Sequence, residues 1–189
     1  MFTFEVQKDF TPELNQLRRE SFPGTLDLQT AVDEFDQDSQ HGVLYNGDRN
    51  ILAYCRFTPN PGGVFSSWAR RVDLLPNTVD CVDLGRCLVN PEFRGQGLME
   101  VLVLHSLLYA KKKNFLFVNG GVTPNRGMNE MIYDLGFEDC GAPVPFHQSN
   151  GKSGLIQLVT CDITLHGRKW ESRLESIMEN SFYRLEKKH

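Results

Sequence analysis

The sequence predicts an α/β (α+β) domain with a mixed, mostly antiparallel sheet flanked by helices, and three observations carry that expectation. The 189 residues suit one hydrophobic core, since compact domains run to about 100–200 residues. Apolar residues at 40% and charged residues at 23% match globular usage and carry no collagen-like, low-complexity or disordered signature. Hydrophobic periods of two and of 3.6 then alternate along the chain in the order strand, helix, strands, helix, strand, helix, strand.

Phe2 to Val6 alternates like a short strand. Thr11-Pro12-Glu13 supplies an N-cap, a proline for the first helical position and an acid for the first turn, so a helix runs on to about Glu20. Gly42 to Tyr45 and Ile51 to Phe57 are apolar runs joined through Asn46-Gly47, a dipeptide suited to the positive φ angles of a hairpin. Pro59 to Gly63 and Pro76 to Asn77 bracket a poorly periodic surface connection. Val82 to Val89 reads as a strand and Leu98 to Lys112 as a helix. Phe115 to Asn119 is a strand closed by Gly120-Gly121, and Asn125 to Leu135 a helix closed by Gly136. Leu155 to Leu165 alternates like a long last strand. From Arg168, the spacing of Trp170, Leu174, Ile177, Met178 and Leu185 gives an amphipathic helix over 168–189, which either covers the sheet of the 1–167 domain or pairs with another copy.

The net charge of −4 and pI near 5.7 exclude a phosphate-backbone binder, whose affinity comes from clustered cations. Lys111-Lys112-Lys113 falls where cations complement a helix C-terminus. Glu5, Lys8 and Asp9 interrupt any secretory signal, and Glu100, His105 and Ser106 break the longest apolar run, so neither export nor a membrane span is expected and the chain reads as cytoplasmic. Cys55, Cys81, Cys87, Cys140 and Cys161, odd in number and without CxxC pairs, fit neither a disulfide framework nor a metal site and read as free buried thiols. A Cys87–His105 nucleophile pair is the reactive alternative.

Asn90-Pro91-Glu92-Phe93-Arg94-Gly95-Gln96-Gly97-Leu98 joins a strand to a helix. Its glycines allow backbone to approach a phosphate, and the free N–H groups and dipole of the helix start favour the anion, so the segment reads as a pyrophosphate cradle or as an ordinary glycine loop. Glu100 replaces the third glycine of a dinucleotide fingerprint, and Phe146 stands where a P-loop leading to Gly151-Lys152-Ser153 needs glycine.

Leu84-Gly85-Arg86-Cys87-Leu88-Val89-Asn90-Pro91 followed by Arg94-Gly95-Gln96-Gly97, with Asn125 through Tyr133-Asp134-Leu135-Gly136-Phe137, resembles the GCN5-related N-acetyltransferase (GNAT) superfamily. The resemblance implies a sheet splayed between its fourth and fifth strands, with pantetheine in the opening. Leu88, Val89, Arg94, Gly95, Gln96, Gly97, Leu98, Met99 and Asn125 would hold an acyl-CoA or acyl-phosphopantetheine co-substrate, with no metal. Met99 stands where the loop usually ends in a small residue, and Ile132, one residue before Tyr133, aligns with the tyrosine that usually protonates the departing thiolate.

The succession of Arg18, Phe22, Asp33, Asp36, Arg56, Asp83 and Arg86 resembles the acyl-homoserine-lactone synthase and N-acyl amino acid synthase branch, although Leu26 or Leu28 replaces a tryptophan of the lactone synthases. It implies that Arg18, Phe22, Asp33, Asp36, Arg56, Asp83 and Arg86 form a paired-charge cluster shaping the acceptor and acyl sites, the first five as substrate-binding residues; Asp83, Arg86 and Tyr133 are the catalytic candidates, with a packed aromatic as the alternative for Tyr133. Buried Arg and Asp persist only when paired, so such a cluster would rigidify the floor of a cleft; a solvated acidic turn at Asp33 to Asp38 is the alternative. The implied function is N-acyl transfer from acyl-CoA or acyl carrier protein to a small amine or amino acid, in a monomer or homodimer. Asp83 is the candidate base, with His41 and His105 behind it. Acetyl-CoA-dependent N-acetylation of a small amine, peptide or antibiotic, and thioester binding without turnover, are the competing readings.

Overall fold

The computed structural model describes residues 2–21, 32–59, 65, 80–123, 128–147 and 153–186. Its elements are β1 (Thr3–Gln7), α1 (Pro12–Ser21), β2 (Gln40–Tyr45), β3 (Ile51–Pro59), β4 (Cys81–Val89), a 3-10 turn (Pro91–Phe93), α2 (Leu98–Lys112), β5 (Phe117–Val122), α3 (Met128–Asp134), β6 (Phe137–Asp139), β7 (Val144–His147), β8 (Ser153–Asp162) and α4 (Ile163–Glu186). The strands pair in the order β1-β2-β3-β4-β5-β8-β6, with β7 also on β8. Helix α2 carries the chain from the end of β4 back to the start of β5, which makes that pair parallel, whereas β3–β4 and β5–β8 are antiparallel.

Both faces of β3 are buried, and its alternation divides the core. Ala53, Cys55 and Phe57 join Val82, Leu84, Leu102, Leu104 and Trp170 beneath α2 and α4. Tyr54 packs with Leu14, Leu17, Val43 and Leu88 beneath α1. Trp170 is fully buried and its indole donates to the Leu135 carbonyl at 2.8 Å. With the Arg173–Glu100 and Lys111–Glu171 pairs it fixes α4 against α2 in the same core.

The expected strand over Leu155 to Leu165 instead ends at Asp162. The Asp162 carboxylate accepts from the Thr164 amide at 2.8 Å and its hydroxyl at 2.6 Å, an N-cap that starts α4 at Ile163. Ile163 and Leu165 had extended the strand alternation by chance. Strand β5 begins at Phe117 and not at Phe115, because Asn114 takes a positive φ of 61° after the last turn of α2. Strands β6 and β7 had no counterpart in the periodicity. The expected connection at 60–79 lies outside the described residues, Phe65 excepted. No described helix is long and apolar enough to cross a membrane.

Candidate active site

Strands β4 and β5 pair over only three residues, Cys81↔Phe117, Val82↔Val118 and Asp83↔Asn119. Beyond Asp83 they diverge and leave a splayed opening along the second half of β4. A bulge lies on that half: Tyr54 pairs with Leu88 but Arg56 with Gly85, so Arg86 and Cys87 together oppose Cys55. Arg86 takes the bulge's positive φ of 54°. A bulge takes backbone groups out of the ladder, and an opening with strand N–H groups along one wall can polarise a carbonyl placed there.

At the end of β4 the Asn90 side chain accepts from the Glu92 amide and donates to Ile51, capping the 3-10 turn that leads into the loop. Gly95 and Gly97 hold φ of 78° and 75°, and Gly97 is the N-cap of α2. A Cβ on either glycine would meet nothing within 4 Å among the described residues. The backbone conformation thus requires glycine, and the loop leaves the helix start open to an anion. Arg94 is turned back on the Val89 carbonyl at 3.3 Å, Leu98 is buried, and Met99 packs at the edge of the core.

On the α1 face, Arg18, Asp33, Asp36, Arg56 and Arg86 form one chain of ion pairs. Arg18 grips Asp36 through both Nη atoms at 2.7 and 2.6 Å. Arg56 bonds Asp36 at 2.9 Å and also Asp33, and Arg86 bonds Asp33 at 2.7 Å. Arg18 and Arg56 are at most 1% exposed. Arg18 also lies over the Phe10 ring at 4.3 Å and donates to the Tyr54 hydroxyl. The turn at Asp33 to Asp38 is therefore tied into the buried network through Asp33 and Asp36, while Glu34, Gln37 and Asp38 are exposed to solvent. Burial alone would raise the Asp36 pKa, but the Arg18 hydrogen bonds, the Asp33 amide and Arg56 outweigh it and hold the carboxyl at about 2. Three guanidinium groups meet two carboxylates, and the exposed end of the chain is Arg86, whose side chain is 28% accessible.

Asp83 sits where the strands part, on the same face as Thr58 and Arg56, and accepts from the Phe65 amide at 2.9 Å. His41 is fully buried, and its Nδ1 shares a hydrogen bond with the Tyr54 hydroxyl at 2.9 Å. Burial pushes its pKa down to about 4, helped by Arg18 and Arg56 against Asp36, so it is a neutral member of the network at neutral pH. His105 stacks on Phe4 at 5.1 Å. Burial pushes the Cys87 thiol up to about 12, the wrong direction for a thiolate nucleophile. Tyr133 is 40% exposed and donates to Asp139 at 2.8 Å, whereas Ile132 is buried in the core. Phe22 and Asn125 lie outside the described residues.

Tyr54 and Asn119 belong to this constellation and had no individual signal. Tyr54 reads as an ordinary strand aromatic, and only the β3 register puts it between Arg18 and His41. Asn119 reads as a strand end; it is the register partner of Asp83 and accepts from the Thr160 hydroxyl at 2.8 Å. Among the described residues no group of three His, Cys, Asp or Glu is arranged to hold a metal ion.

A splayed β4–β5 pair, a bulged β4 and a glycine loop at a helix start define a thioester-dependent acyltransferase architecture. Residues 9–137 match the acetyltransferase (GNAT) family; the chain belongs to that family and is an acyltransferase domain. Solved structures with the same fold include a spermidine N-acetyltransferase chimera from Vibrio cholerae and hSSAT, with a TM-score of 0.64, 13% identity and coverage of 86% of this chain and 96% of that one. A GNAT family acetyltransferase from Elizabethkingia anophelis with acetyl-CoA bound has a TM-score of 0.61 at 15% identity, covering 85% and 97%. The ribosomal-protein-S18-alanine N-acetyltransferase from Escherichia coli has a TM-score of 0.60 at 12% identity, covering 86% and 94%. At these identities the likeness is one of fold. No curated protein matches the sequence.

Proposed function

We propose that the protein transfers a medium or long acyl group from a pantetheine thioester, on coenzyme A or acyl carrier protein, to the nitrogen of a small amine or amino acid by direct attack. The observation that carries this reading is the ion-pair chain from Arg18 to Arg86, which lies beside the splay and ends in a partly exposed guanidinium. Its five members are among the seven residues whose succession resembles the lactone-synthase and N-acyl amino acid synthase branch.

In this reading the open start of α2, from Arg94 to Met99, receives the donor pyrophosphate through main-chain N–H groups. The backbone around Leu88 and Val89 polarises the thioester carbonyl. The amine attacks as its free base, and Asp83, or a water held by it, takes the proton. The carbonyl carbon gains the C–N bond and loses the C–S bond, and the thiolate leaves with the donor. Arg86 and Asp33 orient the acceptor. Tyr133, exposed and bonded to Asp139, is outside the proton path.

A second reading is acetyl transfer, favoured by the acetyl-CoA-bound and N-acetyltransferase neighbours; a glycine loop alone suits acetyl-CoA equally. The two readings separate on chain length. Each buried methylene is worth about 0.8 kcal/mol, so an eight-carbon chain in an apolar tunnel differs from acetyl by several kcal/mol. Octanoyl or longer thioesters are expected to exceed acetyl-CoA in kcat/KM across a panel of amine and amino acid acceptors. Equal or better use of acetyl-CoA would establish the acetyl reading.

A further inference from the structure

Glycine inside a strand weakens it, because it has no side chain to pack and loses more backbone freedom on ordering. Gly42 and Gly120 have packing reasons: a Cβ on Gly42 would stand 2.7 Å from the Cys55 sulfur, and one on Gly120 3.3 Å from the Leu84 carbonyl oxygen. Among the described residues, Gly85, in the middle of β4, meets no such packing limit, and its own φ is not positive. The positive φ of the bulge belongs to its neighbour Arg86. Apart from its own chain neighbours Leu84 and Arg86, no heavy atom of the described residues lies within 4 Å of a Cβ built on Gly85.

The open side of Gly85 is the network side. Gly85 pairs with Arg56, follows Asp83 by two residues on the same face of the strand, and precedes Arg86. Asn119, the register partner of Asp83, is 3% exposed, and its Nδ2 has no hydrogen-bond partner among the described residues. A glycine surface that the described residues leave bare, flanked by a carboxylate and a buried donor without a partner among them on one side and a partly exposed guanidinium on the other, is what a closely approaching ligand requires.

We propose that Gly85 sets the size of the acceptor: the carbon next to the attacking nitrogen rests on the open face of Gly85, with Asp83 and Asn119 to one side and Arg86 to the other. This rests on the acyl-transfer reading and adds the residue that selects among acceptors. A side chain at position 85 would occupy the volume of the acceptor's branch at that carbon, so bulky acceptors lose most and the smallest lose least.

The test uses the full chain with Gly85→Ala and Gly85→Val, substitutions that suit a strand. Three quantities are measured: Tm, calorimetric affinity for coenzyme A and octanoyl-CoA, and kcat/KM for glycine, alanine, leucine and unbranched primary amines. Tm and donor affinity are expected to hold, while kcat/KM for leucine falls by roughly tenfold with alanine and further with valine, and glycine is affected least. Equal losses across the panel, or none, would overturn the proposal. So would a lower Tm, which would reveal a packing role, or a weakened donor affinity, which would place the donor over Gly85. Donor binding by the wild type with no turnover on any amine would instead defeat the acyl-transfer reading. Calorimetric titration of the panel in the presence of coenzyme A then decides: acceptor binding that Gly85→Val weakens supports the inference, and no binding overturns it.

Discussion

Asp36→Ala is expected to lower stability by about 3–5 kcal/mol, the scale on which removing one partner from a buried ion pair strands the other. Asp36 accepts from Arg18 through both oxygens and from Arg56, and all three side chains are nearly inaccessible. Removing it leaves two buried guanidinium groups short of an acceptor and frees the amide of Asp33, which also bonds the Asp36 carboxylate at 2.8 Å. Thermal unfolding is expected to drop by roughly 10 °C or more for a chain of this size. Acid acts on the same network. His41 holds its pKa at about 4 when folded, against about 6.5 unfolded, so the unfolded chain takes up the proton first and stability falls between pH of about 6.5 and 4. Asp36, at about 2 when folded and about 3.9 unfolded, adds a second loss as pH falls from there towards 2. A melting series from pH 7 to 2 reads both. A variant as stable as wild type, with a flat melting profile in acid, would mean that the network contributes nothing to the folded state.

Asp83→Asn is expected to lower kcat by a factor of about 100 to 10,000, the range of a general base. Asparagine keeps the shape and can still accept from the Phe65 amide, which the Asp83 carboxylate does at 2.9 Å, so the fold should survive while the proton acceptor is lost. The deficit should shrink as pH rises and the acceptor amine loses its own proton. A variant within a few-fold of wild type at neutral pH would transfer the base role elsewhere. His41 is a poor substitute, since its Nδ1 is already engaged with the Tyr54 hydroxyl in a fully buried site.

Helix α2 was legible to the residue because both ends are punctuated, by Gly97 before Leu98 and by the lysine run after it. The boundary between β8 and α4 was not, because Ile163 and Leu165 continue the strand alternation while the N-cap that ends it depends on where the Asp162 side chain points. Strands β6 and β7, at three and four residues, are too short for a period to emerge. The ion-pair chain joins positions 18, 33, 36, 56 and 86, which no local pattern links; family likeness grouped them, and the strand register explains their meeting. Arg86 reaches that face only because the bulge at Arg86 and Cys87 offsets the alternation of β4. The same register gave Tyr54 and Asn119 roles that composition and spacing do not encode.

The most direct test of acyl transfer by direct attack is a mass-balanced assay of thiol release from octanoyl-CoA. The account predicts that free thiol appears only when an amine is present, that it equals the amide formed one for one, and that intact-protein mass spectrometry under turnover finds no acylated enzyme. Amine-independent thiol release, an acyl-enzyme that accumulates, or thioester bound with no amide formed from any amine would contradict it.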